Sequence, residues 1–455
     1  MVSCLGLWSP DLALSAGKAL SPASCATLAT GFLLWGKSMA KSVIVVGAGI
    51  VGLSVALQLQ LRGWQVQLWD RQPAGEGTSY GNAGLIQREA VFPQPLPRDL
   101  HELWRYAGNR SSRAQYRFKA LPPLAPAFLR YWRASRPDRL QQSAKAYGAL
   151  IRHCLEDHLA LAALTNASEL YRPGGWVQIF QEGQHLQAEL EAAAYKRLHF
   201  DVEYAAWDAA ELERRLPMLR SGLAGAVHWT QPLALSEPIA LSQAYLRTFQ
   251  QQGGEFVLEG IHGLKKTSQG WRVQGDHQQS EAPWLILTMG AWTADWTKPL
   301  GYQAPVFVKR GYHQHYSSGG GSDLPLPVLD SEAGYVLAPM RRGLRLTTGA
   351  EFARRDDVPS ARPLQLAEAA ARRLFPGLGV ALDAQPWLGH RPCTGDMLPI
   401  IGPLQRQPGL FLAFGHCHQG LTMGPSTGRL VAQMLEQDAH PFVDPWPYRP
   451  ERFDN

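Results

Sequence analysis

Residues 41–70 read KSVIVVGAGIVGLSVALQLQLRGWQVQLWD, and this stretch decides the fold. The apolar run Val43–Val46 leads into Gly47, Gly49 and Gly52, after which Leu53, Leu57 and Leu61 recur at helical spacing until Gly63. The pattern predicts a strand, a glycine turn, a helix and a second strand carrying Val66 and Leu68, which together make one βαβ unit. In such a unit the first glycine permits the tight turn and the second lets a pyrophosphate approach the backbone. The third lets helix and strand pack closely, and Ile50 and Val51 open the helix toward the phosphates. The second strand runs into Asp70 and Arg71, with Asp70 at the distance expected of an acid that bonds a ribose diol. An anion there repels a 2′-phosphate, which argues against NADP.

At 455 residues the chain exceeds what one small core requires and points to two domains. The formal net charge of +6 is carried by single and paired arginines spread along the sequence. It suits an anionic substrate or a membrane surface and is no nucleic-acid signature. Cys4, Cys25, Cys154, Cys393 and Cys417 form an odd set without a CxxC pair, so a disulfide framework is not expected and a reducing compartment is. No apolar run is long enough to span a membrane. Residues 1–38 show no periodicity leading into the fold. Their apolar part, Thr27–Gly36, lacks the basic flank of a signal peptide near Met1, and Met39 opens a normal start. The expectation is a disordered or spurious extension, with a targeting segment as the alternative.

Downstream, GEGTSYGNAGLIQ (Gly75–Gln87) is too rich in small and polar residues for a packed element and reads as a loop that a ligand can approach. Residues 93–137, with many prolines and Trp104, Tyr106, Tyr116, Phe118, Phe128, Tyr131 and Trp132, read as irregular structure and short helices. Gln141–Leu164 reads as one helix, Ile239–Gln251 as another, and WLILT (Trp284–Thr288) as a strand running into Met289-Gly290-Ala291. VKRGYHQHY (Val308–Tyr316), YVLAP and LRLTTG suggest an antiparallel sheet. Gly319–Gly321 is a low-complexity run, and Thr427–Leu435 reads as the final helix.

Four separated motifs together resemble the FAD-dependent D-amino-acid oxidase-like family, and most closely its bacterial D-amino-acid dehydrogenase and D-hydroxyproline dehydrogenase branch. They are GAGIVG with Asp70; TSYGNAGLI (Thr78–Ile86); LILTMGAWT (Leu285–Thr293), with Met289 in place of a usual small residue; and GHRPCTGDMLPIIG (Gly389–Gly402) followed by LFLAFGHCHQGLTMGPSTGRL (Leu410–Leu430). The resemblance covers Ser42 to about Glu436. It implies an α/β protein with a Rossmann-like FAD-binding domain and an α+β substrate domain whose mainly antiparallel sheet roofs the flavin. The implied FAD-binding segments are 39–100, 236–300 and 389–455, and the substrate segments are 101–235 and 301–388.

Cofactor contacts implied by the resemblance are Gly47, Gly49, Ile50, Val51, Gly52, Asp70, Arg71, Thr78, Ser79, Asn82, Ala83, Gly84, Gly290, Trp292, Gly415, Gly420, Leu421 and Thr422. The cysteine that tethers flavin in the sarcosine oxidase branch has no counterpart, since its position falls near Gly389, so FAD is expected to be non-covalent. His418 stands where relatives often carry a small or apolar residue. Gly420–Thr422 precede the expected helix start and are placed to stabilise negative charge on a reduced flavin.

Arg391 sits where relatives hold the substrate carboxylate, and a guanidinium fork suits that planar anion. Tyr312 and Tyr335 lie on roof strands and are candidates to bond the same carboxylate, and His313 is a candidate proton acceptor. Arg310 and Arg345 are the fallback anchors. The His313/His315 and His416/His418 pairs invite a metal reading, but no third ligand follows at a useful spacing. The implied reaction is dehydrogenation of a free D-amino acid or cyclic imino acid by hydride transfer from Cα to flavin N5. A membrane quinone or respiratory-chain component is the expected acceptor, with a cytoplasmic location, free or peripheral at the inner membrane face. The alternatives are an oxygen-using glycine or sarcosine oxidase and a non-catalytic FAD-binding assembly factor or partner subunit.

Overall fold

The computed structural model describes residues 41–99, 108, 109, 111–318 and 323–454. The expected extension 1–38 and the Gly319–Gly321 run lie outside them.

Ser42–Val46 forms the strand at the heart of a six-stranded sheet in the spatial order Glu255–Leu258, Gln65–Asp70, Ser42–Val46, Trp284–Leu287, Leu410–Phe414, Ile400–Pro403. The first five run parallel and the last is antiparallel. Val43–Val46 and Trp284–Leu287 are buried throughout, as apolar, β-branched-rich runs must be when both faces of a parallel sheet are covered. One face carries the helix Ile50–Gln60, flanked by Pro238–Gln251 and the last helix, Gly420–Leu435. Gly428 brings the last helix against the first: a Cβ there would lie 2.6 Å from the Ser54 carbonyl oxygen. The other face is covered by a three-stranded antiparallel sheet, Ile261–Lys266, Trp271–Gly275 and Gln279–Ala282, through Trp69 and Trp271.

The second sheet has eleven strands and is mainly antiparallel. Its spine is the 13-residue strand Val306–Ser318, called the roof strand below. Along its length it pairs with Trp387–Thr394 on one side and with Ala350–Phe352 and Gly343–Thr347 on the other. Trp387–Thr394 thus belongs to the roof, and straddles the boundary expected at 389. Leu85–Ile86, at the end of the loop read as Gly75–Gln87, pairs with Leu233–Leu235, which also pairs with Tyr171–Arg172. This small ladder ties the two layers together.

Three helices differ from their sequence reading. The segment Gln141–Leu164 is two helices, Pro137–Arg152 and Cys154–Leu164, with His153 capping both ends. No glycine or proline marks that break, so the apolar periodicity runs through it. Within 93–137, Leu121–Ala134 is a continuous helix despite Pro126. The last helix begins at Gly420, seven residues before the expected Thr427, and contains Pro425.

Candidate active site

An elongated cavity of about 850 Å³ lies between the parallel sheet and the roof. At one end the C-terminal ends of the parallel strands supply Gly47, Gly49, Ile50, Val51, Asp70 and Arg71. Gly47 has φ +111°, and a Cβ on it would sit 2.7 Å from the Thr288 carbonyl; a Cβ on Gly52 would sit 1.7 Å from the Gly47 oxygen. Only glycines fit this turn. The Ile50 N–H donates to Ser79 Oγ at 2.9 Å, and no side chain of the helix's own N-cap accepts from its first turn. Asp70 accepts from the Ala48 N–H at 2.6 Å and the Gln72 N–H at 3.0 Å. Burial pushes its carboxyl above the usual range, opposed by those two N–H groups.

Along the middle, Thr78, Ser79, Asn82, Ala83, Gly290, Trp292, Gly415, Gly420 and Leu421 line the cavity as well. Arg71 stacks over the Trp292 ring at 4.7 Å. Gly52, Gly84 and Thr422 do not line it. Gly84 instead takes φ +74° and donates its N–H to Asn82 Oδ1, and Thr422 Oγ1 accepts from the Gln87 N–H at 3.2 Å, just past the strand Leu85–Ile86. The clearances at Gly47 and Gly52, the open first turn of Ile50–Gln60 and an inward carboxylate at Asp70 fit a dinucleotide such as FAD. Gly420–Thr422 are the first turn of the last helix itself, not a lead-in to it, so its N-terminus faces the cavity directly.

Beneath the roof, Arg391 comes from Trp387–Thr394. Its Nη1 donates to the Gly349 carbonyl at 3.0 Å and its Nη2 to the Thr348 carbonyl at 3.1 Å. A Cβ on Gly311 would lie 2.3 Å from Arg391 Nη2, so that glycine makes room for the guanidinium. No carboxylate among the described residues pairs with Arg391, and burial pulls its pKa below the ordinary arginine value. Opposite it in register is Lys309, which also lines the cavity. Its Nζ donates to Tyr131 Oη at 2.9 Å, and that hydroxyl donates to the Gln94 carbonyl at 2.7 Å. Sequence reasoning missed Lys309. The available signal was its alternation with Gly311 and His313 on the roof strand, which puts it on one face with them.

The remaining candidates are placed differently. Tyr312 borders the cavity, but its hydroxyl donates to Glu351 Oε2 at 2.6 Å and accepts from Arg310 Nη2 and the Ser360 N–H. Arg310 is itself ion-paired with Glu351 at 3.1 Å. Arg345 is held by Glu237, His315 and the Tyr80 and Asn82 carbonyls. Both fallback anchors are therefore already paired, and neither lines the cavity. Tyr335 packs with Leu337 and Leu346 in a separate core and does not line the cavity. His313 is stacked on Trp387 at 4.9 Å and Tyr80 at 5.7 Å, away from the cavity lining. Burial, aided by Arg345, lowers its pKa to about 2, too weak a base to take an ammonium proton at neutral pH.

Asp383, distant in sequence, joins His313 and His315 in a cluster whose ligand atoms lie within 4.8 Å of one another. His315 Nδ1 bonds Asp383 at 2.8 Å while Arg345 Nε donates to its Nε2 at 3.0 Å. With both nitrogens occupied and a guanidinium adjacent, the cluster has no lone pair to offer a cation from His315. In the other pair, His416 bonds Thr427 Oγ1 at 2.9 Å, and both His416 and His418 line the cavity. Burial lowers each to about 3, with Lys309 and Arg391 adding to the effect at His418.

Comparison with known proteins agrees with this architecture. Residues 42–434 match the family described as DAO, FAD dependent oxidoreductase. Among curated relatives, a D-amino-acid oxidase of Bradyrhizobium diazoefficiens is 28% identical over 91% of this chain and 99% of its own. A D-amino acid dehydrogenase of Vibrio cholerae is 27% identical over 88% of this chain and 96% of its own. The glycine oxidase of Geobacillus kaustophilus shares the fold, with TM-score 0.71 at 21% identity, over 90% of this chain and 98% of that one. The family match spans most of the chain: it belongs to the DAO family of FAD-dependent oxidoreductases.

Proposed function

We propose that the protein dehydrogenates a free D-amino acid or cyclic imino acid at Cα. The observation that carries this reading is Arg391, a guanidinium facing the cavity with two N–H groups held by carbonyls and no acid beside it. The remaining N–H donors suit a substrate carboxylate, and the carbonyls of Thr348 and Gly349 fix the fork in place. Roof residues Thr347–Ala350 and Phe352 line the cavity on the substrate side. FAD, when bound, supplies the two-electron acceptor for the hydride that leaves Cα.

No side chain is assigned as an essential base. The amine must be neutral before hydride leaves, and Arg391 and Lys309 beside it favour loss of the ammonium proton. The imine product then hydrolyses in solution to a 2-oxo acid, or persists when cyclic. FAD is read as non-covalent. Relatives of similar identity are named oxidases and dehydrogenases alike, and a membrane quinone or respiratory-chain component is the proposed acceptor. Anaerobic titration of the purified flavoprotein with D-, L- and N-methyl amino acids tests the reading. Bleaching by D-amino or cyclic imino acids is the expected result, and no bleaching by any amino acid would overturn it. Slow reoxidation in air is expected of a dehydrogenase.

A further inference from the structure

Lys309, which lines the cavity near Arg391, has hydrogen-bonding capacity that the proposed reaction does not use. An ammonium has three N–H donors. Lys309 spends one on Tyr131 Oη, and Tyr131 spends its own proton on the Gln94 carbonyl, so it stays a neutral acceptor. The rings of Tyr131, Phe307 and Phe352 lie 4.5, 5.9 and 5.9 Å from Nζ. Lys309 is only 5% exposed, yet no carboxylate among the described residues pairs with it. Aromatic faces attract the charge but accept no strong hydrogen bond. Burial works against the charge while Tyr131, Cys393 and Cys417 favour it, so Lys309 stays an ammonium with donors to spare and no carboxylate beside it.

The neighbouring anionic candidates do not fill the role. Burial raises the Cys393 thiol, but a hydrogen bond with Cys417 and the charges of Lys309 and Arg391 bring it below the ordinary thiol value; it donates to the Arg391 carbonyl and, not lining the cavity, leaves the cavity side of Lys309 open. The carboxylates that do line it are Asp70, Glu259 and Asp295. Asp70 accepts backbone N–H groups at the dinucleotide end, Glu259 accepts from the His277 N–H, and Asp295 is paired with Arg355 at 2.6 Å. Lys309 and Arg391 are register partners on adjacent strands, but Arg391 folds over Gly311 while Lys309 turns toward Tyr131 and Phe352. Both cations line the same cavity from adjacent strands, so one small molecule with two carboxylates can meet both.

Resting on the amino-acid reading above, we infer that the substrate carries a second carboxylate, and that Lys309 binds it while Arg391 holds the α-carboxylate. Side-chain dicarboxylic amino acids and N-carboxymethyl amino acids share that chemistry, and the test separates them. The holoenzyme is bleached anaerobically with D-aspartate, D-glutamate, iminodiacetate, D-alanine and D-norvaline. Non-reactive malonate, succinate and glutarate are titrated against acetate and butyrate by the shift they cause in the bound flavin's visible spectrum. The expected result is a preference of at least ~10-fold for acidic over neutral substrates, because a site built around buried donors disfavours a partner that leaves them unpaired.

Lys309→Met should lower the acidic-to-neutral ratio of kcat/KM by about 100-fold and weaken the dicarboxylates far more than the monocarboxylates. Lys309→Arg should retain much of the preference. Equal losses on both substrate classes would make Lys309 structural and overturn the inference. Should Lys309→Met fail to bind FAD, the wild-type panel and Lys309→Arg decide. Neutral amino acids outperforming acidic ones sinks this inference alone, whereas silence from every amino acid sinks the reading on which it rests.

Discussion

Arg391 differs from the other deeply set arginines of the roof in having no acid beside it, whereas Arg310 is matched by Glu351 and Arg345 by Glu237. Arg391→Lys should therefore cut kcat/KM by about 100-fold, because an ammonium cannot reproduce two parallel bonds and a misplacement of about 1 Å carries that cost. The flavin spectrum should hardly change; normal turnover would make Arg391 structural. Gly311→Ala tests the same point from below, since its Cβ would lie 2.3 Å from Nη2, and it should raise KM and weaken carboxylate inhibitors without loss of FAD. At the other end, Asp70→Ala should weaken FAD by ~1–3 kcal/mol, measured by flavin release, as ribose hydroxyls lose a buried acceptor. The placement of Arg391 and Asp70 in the cavity lining was legible because each sits in a motif of fixed spacing. That of Lys309 was not: alternation groups it with Gly311 and His313 on one face, but the strand's own sequence does not say how much of that face meets a cavity, and His313 does not line it.

At the scale of elements, the last helix shows why its start was misread. Proline ordinarily ends a helix because it cannot donate to the carbonyl four residues back. Here that carbonyl belongs to Leu421, and His158 Nε2, from a helix 263 residues earlier in sequence, donates to it at 2.9 Å. Tyr171 Oη donates to the other ring nitrogen at 2.9 Å, which fixes the tautomer, and burial holds His158 neutral with a pKa near 4. The helix can then continue back through Pro425 to Gly420 and present its N-terminus to the cavity. His158→Ala should cost ~1–3 kcal/mol by leaving a buried carbonyl unpaired. A denaturant midpoint that falls at unchanged slope is the expected observation; an unmoved midpoint would show that the helix holds itself. No local rule could supply a partner so far away, whereas the first βαβ unit carried all its instructions within thirty residues.

Over the whole molecule, the buried histidines set an acid limit. Burial holds His158 at about 4, His313 at about 2, and His416 and His418 at about 3. An unfolded histidine titrates near ~6.5, so below that pH the unfolded chain binds protons that the folded chain refuses, and stability rises with pH across roughly 4 to 6.5. Glu89, raised by burial to about 7, works in the opposite sense within that window. His228, His315 and His390 are lowered by burial as well, and Asp70 and Asp330 raised, so seven histidines against three carboxyls leave the net sign positive. Urea midpoints should accordingly fall from pH 7 to pH 5, and a flat profile would refute this account. The larger arrangement of layers was readable from motif order, though the strand Trp387–Thr394 crosses an expected boundary because long-range pairing, not local composition, decides which sheet owns a strand.

The close packing of Gly428 on Ser54 joins the last helix to the first, and it has a consequence for synthesis. At ~5–20 residues per second, the ribosome needs roughly 20 to 70 s to travel from Ile50 to Gly420. During that interval Leu53, Ala56 and their neighbours have no final helix to cover them, and Leu410–Phe414 has yet to join the edge of Trp284–Leu287. The nascent chain thus carries an unfinished nucleotide-binding layer for nearly the whole of its translation. Chains arrested before Gly420 should be protease-sensitive in residues 41–70 and dependent on chaperones that bind exposed apolar helices, and should become resistant only once the helix Gly420–Leu435 clears the exit tunnel.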